Sequence, residues 1–251
     1  MKMAYELLLE LMQRLSKQKV TAIKSITKKI LILSTPRSGS TLFCNVLNNT
    51  ECIGECAEWF NQKYIISYGR MNNTTTVDIN EYLQFIMERS ASSDGVFSAN
   101  VHIEDVIAMH KKGVDIFKLN FDHIIYLNRK NKLAQAVSLA KSNLTGSWSK
   151  EIKGDGQALE LLNHTHIVNA LKQIIDSEDH CRTQLQKLIN ASYNYEDFVN
   201  LKDTHVYHEF FALVGLNANF SDLHSNMRKQ RDEHSINSTE DFLKYLTGSE
   251  S

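Results

Sequence analysis

Hydrophobic residues in this chain occur in two patterns, as short continuous runs and at helical spacing. The continuous runs of β-branched and aliphatic residues predict parallel strands near 30–35, 96–101, 123–128 and 191–195, and a short fifth strand near 51–53. Spacings of three and four residues predict helices near 40–49, 78–92, 103–112, 131–142, 156–188, 204–214 and 239–246. Strands that alternate with helices predict an α/β fold of three layers, in which a mostly parallel sheet of four or five strands carries helices on both faces.

The first 29 residues carry a separate pattern. Residues 3–17 predict an amphipathic helix, whose apolar face contains Met3, Leu7, Leu8, Leu11 and Leu15. This segment is too short and too charged for a membrane span or a signal peptide. Packing on the domain, contact with a second copy in a homodimer, and weak binding to a membrane surface are the three alternatives. We therefore divide the chain into a lead-in, residues 1–29, and a single domain, residues 30–251.

Composition agrees with one enzyme domain. The chain has 251 residues, of which 42% are hydrophobic, and no Pro/Gly-rich linker divides it. The net charge of -1 implies no general attraction to nucleic acid or to anionic membranes, so any positive charge for an anionic ligand must be local. The four cysteines lack the spacing of a zinc site, which predicts reduced thiols in a cytoplasmic protein and no metal.

The first predicted strand runs directly into a polar turn and a helix. The turn reads Thr35-Pro36-Arg37-Ser38-Gly39-Ser40-Thr41. Backbone N–H groups and the positive end of the helix dipole meet there, Arg37 can form a bidentate pair with an anion, and the hydroxyls can add hydrogen bonds. The turn is P-loop-like, but Ser40 stands where a nucleoside-triphosphate P-loop has lysine. A plain turn with a serine N-cap is the alternative.

A second arginine follows the third predicted strand. Arg129 comes directly after 123–128, and Ser138 lies nine residues further along a predicted helix. The carboxyl ends of parallel strands meet at one edge of the sheet, where ligands of α/β proteins bind. Arg37 and Arg129 can therefore face one crevice, whose ligand would carry two separated anionic groups.

Five segments, in this order, resemble motifs of the sulfotransferases that use 3′-phosphoadenosine 5′-phosphosulfate (PAPS). They are the turn 35–41, Gly54-Glu55-Cys56-Ala57-Glu58-Trp59-Phe60, Arg129 with Ser138, Tyr193-Asn194-Tyr195-Glu196-Asp197-Phe198, and Arg228-Lys229-Gln230-Arg231-Asp232. The resemblance is closest to the bacterial Stf0-type carbohydrate sulfotransferases, whose reference member acts on trehalose. An ordered set of motifs is more specific than any one of them.

The resemblance implies a donor site for PAPS, with adenosine 3′,5′-bisphosphate (PAP) as the product and no metal. Residues implied to bind the 5′-phosphosulfate are Pro36, Arg37, Ser38, Gly39, Ser40 and Thr41. Residues implied to bind the 3′-phosphate are Arg129 and Ser138. Arg228, Lys229 and Gln230 are implied to close over the nucleotide.

The resemblance also implies a catalytic glutamate, Glu58. We expect Glu58 to act as general base, with a pKa raised by desolvation beside Trp59, and Arg37 to stabilise the leaving phosphate. Glu55 is the second candidate for the base. A solvated glutamate at a helix start is the alternative for Glu58.

The expected acceptor-binding residues are Glu55, Trp59, His102 and Trp148. A tryptophan on the polar segment 142–156 suits stacking on a sugar ring, and anchoring of that loop to the core is the alternative. A lysine that the family often carries would fall near Asn100, so His102 is either a substitute donor and proton carrier or a structural residue.

The sequence thus predicts an enzyme of the EC 2.8.2 type that transfers a sulfuryl group in line from PAPS to a hydroxyl of a carbohydrate or glycolipid. A non-catalytic protein that binds PAPS or PAP is one alternative. A kinase-like phosphotransferase is the other, although it requires lysine after Gly39.

Overall fold

A computed structural model describes residues 2–17, 25–146, 160–220, 223–225 and 233–247. Its strands are β1 (Lys28–Ser34), β2 (Val96–His102), β3 (His123–Asn128) and β4 (Ala191–Asn194). Its helices are α1 (Lys2–Lys17), α2 (Ser40–Asn48), α3 (Gln62–Met71), α4 (Ile79–Ser90), α5 (Ile103–Lys111), α6 (Lys132–Thr145), α7 (His164–His180), α8 (Tyr195–Phe198), α9 (His205–Val214) and α10 (Glu233–Thr247).

The four strands form one parallel sheet in the order β2-β1-β3-β4. Successive residues of β1 enter different cores, with Leu31 and Leu33 on one face and Ile30 and Ile32 on the other. All four are fully buried, as expected for a central strand covered by helices on both sides. The predicted α/β fold with a parallel sheet is therefore confirmed, and the carboxyl ends of its strands share one edge.

Three local predictions differ from the structure. Residues 51–53 form a turn instead of a fifth strand, with Glu51 at a φ of 58°. Instead, Ala57 contacts the edge strand β2 by forming a single parallel bridge with Ala99. The helix predicted over 156–188 is described from residue 164, and after α7 it continues as one π turn and one 3₁₀ turn. Residues 156–159 lie outside the described part, and α3 was not predicted.

Helix α1 packs on the domain through its apolar face. Met12 and Leu15 are fully buried in the same core as Trp59 and Phe60, and the guanidinium of Arg89 in α4 donates to the carbonyls at the end of α1. No helix in the described part of the chain combines the length and hydrophobicity needed to cross a bilayer.

Gly39 gives a test of the packing around the turn. Its φ is 89°, and an added Cβ would lie 2.4 Å from the ring of Tyr195, whereas Gly113, with a φ of 78°, has no atom within 4 Å of that position. We expect Gly113→Ala to lower the free energy of unfolding by about 1 kcal/mol, from backbone strain alone. Gly39→Ala should cost about 2–4 kcal/mol, because the clash adds to that strain. Equal losses in urea unfolding would contradict the described contact.

Candidate active site

The turn between β1 and α2 has the backbone of an anion-binding loop. Arg37 and Gly39 both have positive φ, 63° and 89°. Gly39 is the N-cap of α2 and supplies no side-chain hydrogen bond to the helix start. The first turn of α2 therefore presents its N–H groups and the positive end of its dipole towards the strand end.

Ser38 is a buried hydroxyl within this turn. Its side chain is fully buried, and Ser38 Oγ has no hydrogen-bond partner among the described residues. A buried polar atom without a partner costs about 1–3 kcal/mol, so such an atom favours a bound ligand as its partner. The Ser38 hydroxyl, the helix start and the adjacent arginine together fit a sulfate or phosphate group.

Arg37, Arg129 and Ser138 are brought together, but Ser138 contacts Arg37, whereas the resemblance groups it with Arg129. Arg37 Nε donates to Ser138 Oγ at 2.9 Å, and Arg129 Nη1 donates to the carbonyl of Arg37 at 3.2 Å. Burial, and then the charge of Arg129, lower the pKa of Arg37. The two positive charges repel each other, and bound anionic groups would offset that cost.

Gln135 on α6 holds the turn in place and was missed by the sequence analysis. Its Nε2 donates to Thr35 Oγ1 at 2.9 Å and to the carbonyl of Pro36 at 2.8 Å, and its side chain is fully buried. Gln135 lies three residues before Ser138, on the same face of the helix. A polar residue on the buried face of an Ala/Leu-rich helix was the available signal.

Tyr195 and Glu196 fix the loop that follows β3. The Tyr195 ring lies 4.7 Å from the Arg129 guanidinium, and the Glu196 carboxylate accepts the N–H groups of Lys130 at 2.9 Å and Asn131 at 3.0 Å. The start of α8 thereby holds the start of α6. Arg129 is placed by these contacts at the edge of the crevice.

The segment that carries Glu58 is attached to the open edge of β2. The carbonyl of Ala57 accepts the N–H of Asn100 at 2.8 Å. The side chain of Asn48 in α2 accepts the N–H of Cys56 at 2.8 Å and donates to its carbonyl at 3.2 Å. These bonds fix the backbone next to Glu58, so its carboxylate lies at the carboxyl end of β2.

Glu58 forms an ion pair with His102, the last residue of β2. His102 Nε2 lies 3.4 Å from Glu58 Oε1, and His102 Nδ1 lies 2.9 Å from Ser34 Oγ. Burial would lower the pKa of His102, but the charge and hydrogen bond of Glu58 raise it to about 9. Burial is the largest single influence on Glu58 and would raise its pKa, but His102, Lys63 and Arg37 together lower that pKa. The raised pKa expected for Glu58 is therefore wrong, because desolvation is offset by a charged partner.

Two further polar residues, Asn61 and Asp105, lie next to this pair and were not predicted. Asn61 Nδ2 donates to Asp105 Oδ2 at 3.3 Å. Burial raises the pKa of Asp105 to about 6, although the charge of His102 opposes that change. No three His, Cys, Asp or Glu side chains in the described ranges form a group that could hold a metal ion.

The other predicted acceptor residues are placed differently. Glu55 is paired with Arg14 of α1. Trp59 is fully buried, and its Nε1–H donates to the carbonyls of Glu55 at 3.1 Å and Ser98 at 3.2 Å, so its ring packs in the core and presents no surface to an acceptor. Trp148, Arg228, Lys229 and Gln230 lie outside the described residues.

Comparison with known proteins gives one family, and the matching solved structures include two sulfotransferase domains. The model of the Stf0 sulphotransferase family matches residues 29–238. No curated protein matches the chain. The sulfotransferase domain from the curacin biosynthetic pathway is 15% identical over 86% of this chain and 83% of that chain, with a TM-score of 0.47. The sulfotransferase domain from the Synechococcus PCC 7002 olefin synthase is 14% identical over 90% and 98%, with a TM-score of 0.44.

The family match includes every described element from β1 to α9. It covers well over half of the chain and contains the turn with Arg37, the Glu58–His102 pair and Arg129. The chain therefore belongs to the Stf0 sulphotransferase family, whose members transfer sulfuryl groups.

Proposed function

We propose that this protein transfers the sulfuryl group of PAPS to a hydroxyl of a carbohydrate or glycolipid. The observation that carries the proposal is the position of the Glu58–His102 pair beside the turn that holds Arg37 and the orphan hydroxyl of Ser38. When bound, PAPS would supply an activated sulfuryl group and a phosphate as leaving group. An anion-binding turn and a carboxylate meet at one sheet edge, which supports a transfer reaction over simple nucleotide binding.

On the donor side, the turn and Arg129 would bind different parts of PAPS. Ser38 Oγ, the N–H groups of α2 and Arg37 would bind the 5′-phosphosulfate, while Arg129 would bind the 3′-phosphate. Ser138 touches Arg37, so α6 connects the two subsites. Arg37 and the helix start would also neutralise the charge that develops on the leaving phosphate.

On the acceptor side, Glu58 would act as general base. Its carboxylate takes the proton of the acceptor hydroxyl while the new O–S bond forms and the bond from sulfur to the phosphate oxygen breaks, with the electron pair leaving on the phosphate. A sugar hydroxyl is too weakly acidic to ionise first, so proton transfer accompanies bond formation. His102 orients the carboxylate and keeps it ionised before the reaction. Asn61 and Asp105, which bond to each other next to this pair, would hydrogen-bond further acceptor hydroxyls.

A cytoplasmic location is part of the proposal. The four cysteines at positions 44, 52, 56 and 181 are free thiols in the structure, which favours a reducing compartment.

Nucleotide binding is the first test. Calorimetry should show tight, metal-independent binding of PAP, and weaker binding of ADP and of ATP with magnesium. Arg129→Ala should weaken PAP binding by about 10- to 100-fold, the loss expected for a charged hydrogen-bonded pair. Arg182→Ala, which removes an exposed arginine paired with Asp179, is the matched control and should leave PAP binding unchanged. A preference for ATP with magnesium would overturn the proposal.

Glu58→Gln tests the general base. We expect unchanged PAP affinity and a transfer rate lower by about 10²–10⁴-fold, because the amide cannot accept the proton. The rate is measured with labelled PAPS against a panel of monosaccharides, trehalose and glycolipids, using the acceptor that the wild type sulfates fastest. Full activity of the variant would disprove the role of Glu58.

The Glu58–His102 pair also predicts a dependence of stability on pH. The pKa of His102 is about 9 in the folded protein, against about 6.5 in an unfolded chain. The pair therefore stabilises the fold fully below about pH 6.5, and this contribution is lost as the pH rises through 9. Urea unfolding from pH 6 to 9.5 should show this fall in the wild type and a flatter profile in His102→Gln.

His110→Gln, at an exposed position of α5, is the control and should keep the wild-type profile. Identical profiles for the wild type and both variants would contradict the pairing.

A further inference from the structure

Helix α1 lies outside the part of the chain that the family match covers, yet it supports the segment that carries Glu58. The match begins at residue 29, whereas α1 ends at Lys17. Met12 and Leu15 are fully buried against the core that contains Trp59. Helix α1 therefore forms part of the core that packs against the segment carrying Glu58.

A single arginine of α1 reaches this segment with a polar contact. Arg14 Nη2 lies 2.8 Å from Glu55 Oε1 and 3.0 Å from Glu55 Oε2. The backbone of Glu55 is fixed as well, because its N–H donates to the carbonyl of Ser90 at 2.7 Å and its carbonyl accepts Trp59 Nε1. Glu55 is therefore held at the backbone by the domain and at the side chain by α1.

We propose that Arg14 is a positioning residue for sulfuryl transfer, which holds Glu55 and thereby keeps the 55–58 segment and its base in place against His102. The inference rests on the proposed role of Glu58 as base. It makes α1 a part of the catalytic apparatus and assigns Glu55 to the support of the base, in place of acceptor binding.

The charged groups around the 55–58 segment include Arg14 as the partner of Glu55. The charged groups that act on Glu58 are His102 from β2, Lys63 from α3 and Arg37 from the turn. Asp105 of α5 and the partly buried Tyr64 of α3 also lie near Glu58. Burial, and then the charges of Glu58 and Glu55, raise the pKa of Tyr64. Arg14 pairs with Glu55 and His102 pairs with Glu58, so each carboxylate of the segment has its own cationic partner.

Arg14→Ala, Glu55→Gln and the double variant test the inference. We expect each single variant to lower kcat for transfer from PAPS to the sugar that the wild type sulfates fastest by about 2- to 5-fold, since the Arg14 side chain is 58% exposed and a solvent-exposed ion pair fixes its partner only weakly. The Kd for PAP and the KM for PAPS should stay unchanged. The double variant should be no slower than Glu55→Gln, because both residues act through one contact. Arg14→Lys should recover part of the rate.

Hydrogen exchange supplies a readout that needs no acceptor. The amides of Glu55 and Cys56 are bonded to Ser90 and Asn48, and they should exchange faster in Arg14→Ala while the amides of β1 keep their protection. Arg70→Ala is the matched control, because Arg70 also joins α1 to the domain, with its guanidinium 4.4 Å from the ring of Tyr5, but does not touch Glu55. This control should keep both kcat and the protection of the Glu55 amide.

The outcomes separate the two proposals. Unchanged kcat and unchanged exchange in Arg14→Ala would overturn the positioning role and leave the role of Glu58 intact. An equal loss of kcat in Arg14→Ala and Arg70→Ala would also overturn it, because α1 would then act only through general stability. Full activity of Glu58→Gln would overturn both proposals.

Discussion

The architecture of the crevice depends on keeping two like charges together. Arg37 and Arg129 are joined through a hydrogen bond to a backbone carbonyl, and burial keeps water from screening them fully. The protein offsets the repulsion with fixed acceptors, since Ser138 binds one guanidinium and the Tyr195 ring packs on the other. Under the proposed function an anionic donor would complete the balance, and a site organised in this way is ready for its ligand before binding.

The parts of the site that are local in sequence could be predicted, and those that depend on folding could not. The strands have continuous apolar runs because both faces of the sheet are covered, and the turn with Arg37 is contiguous. The pairing of Glu58 with His102 joins residues 44 positions apart, so no local pattern reveals it, and it reverses the expected pKa of Glu58. Trp59 is an expected acceptor-binding residue in the sequence, but tertiary packing buries its whole ring in the core.

Asn100, near which the resemblance implies a lysine, shows how a polar residue can organise a neighbouring cation. Its side chain accepts a hydrogen bond from Ser34 at 3.3 Å, and the same hydroxyl contacts His102. Its backbone N–H holds Ala57. Asn100 thus organises the neighbours of a charged imidazole, and positive charge is supplied next to Glu58 from two residues further along the strand.

The ring of Tyr195 has a consequence for selectivity. It touches the position of Gly39 on one side and packs against Arg129 on the other, and so it works as a rigid spacer between the helix start and the second arginine. Under the proposed function, a ligand with two separated anionic groups would reach both ends of the site. A molecule with adjacent phosphates would reach one end only, so the position of the Tyr195 ring would set the spacing that the site accepts.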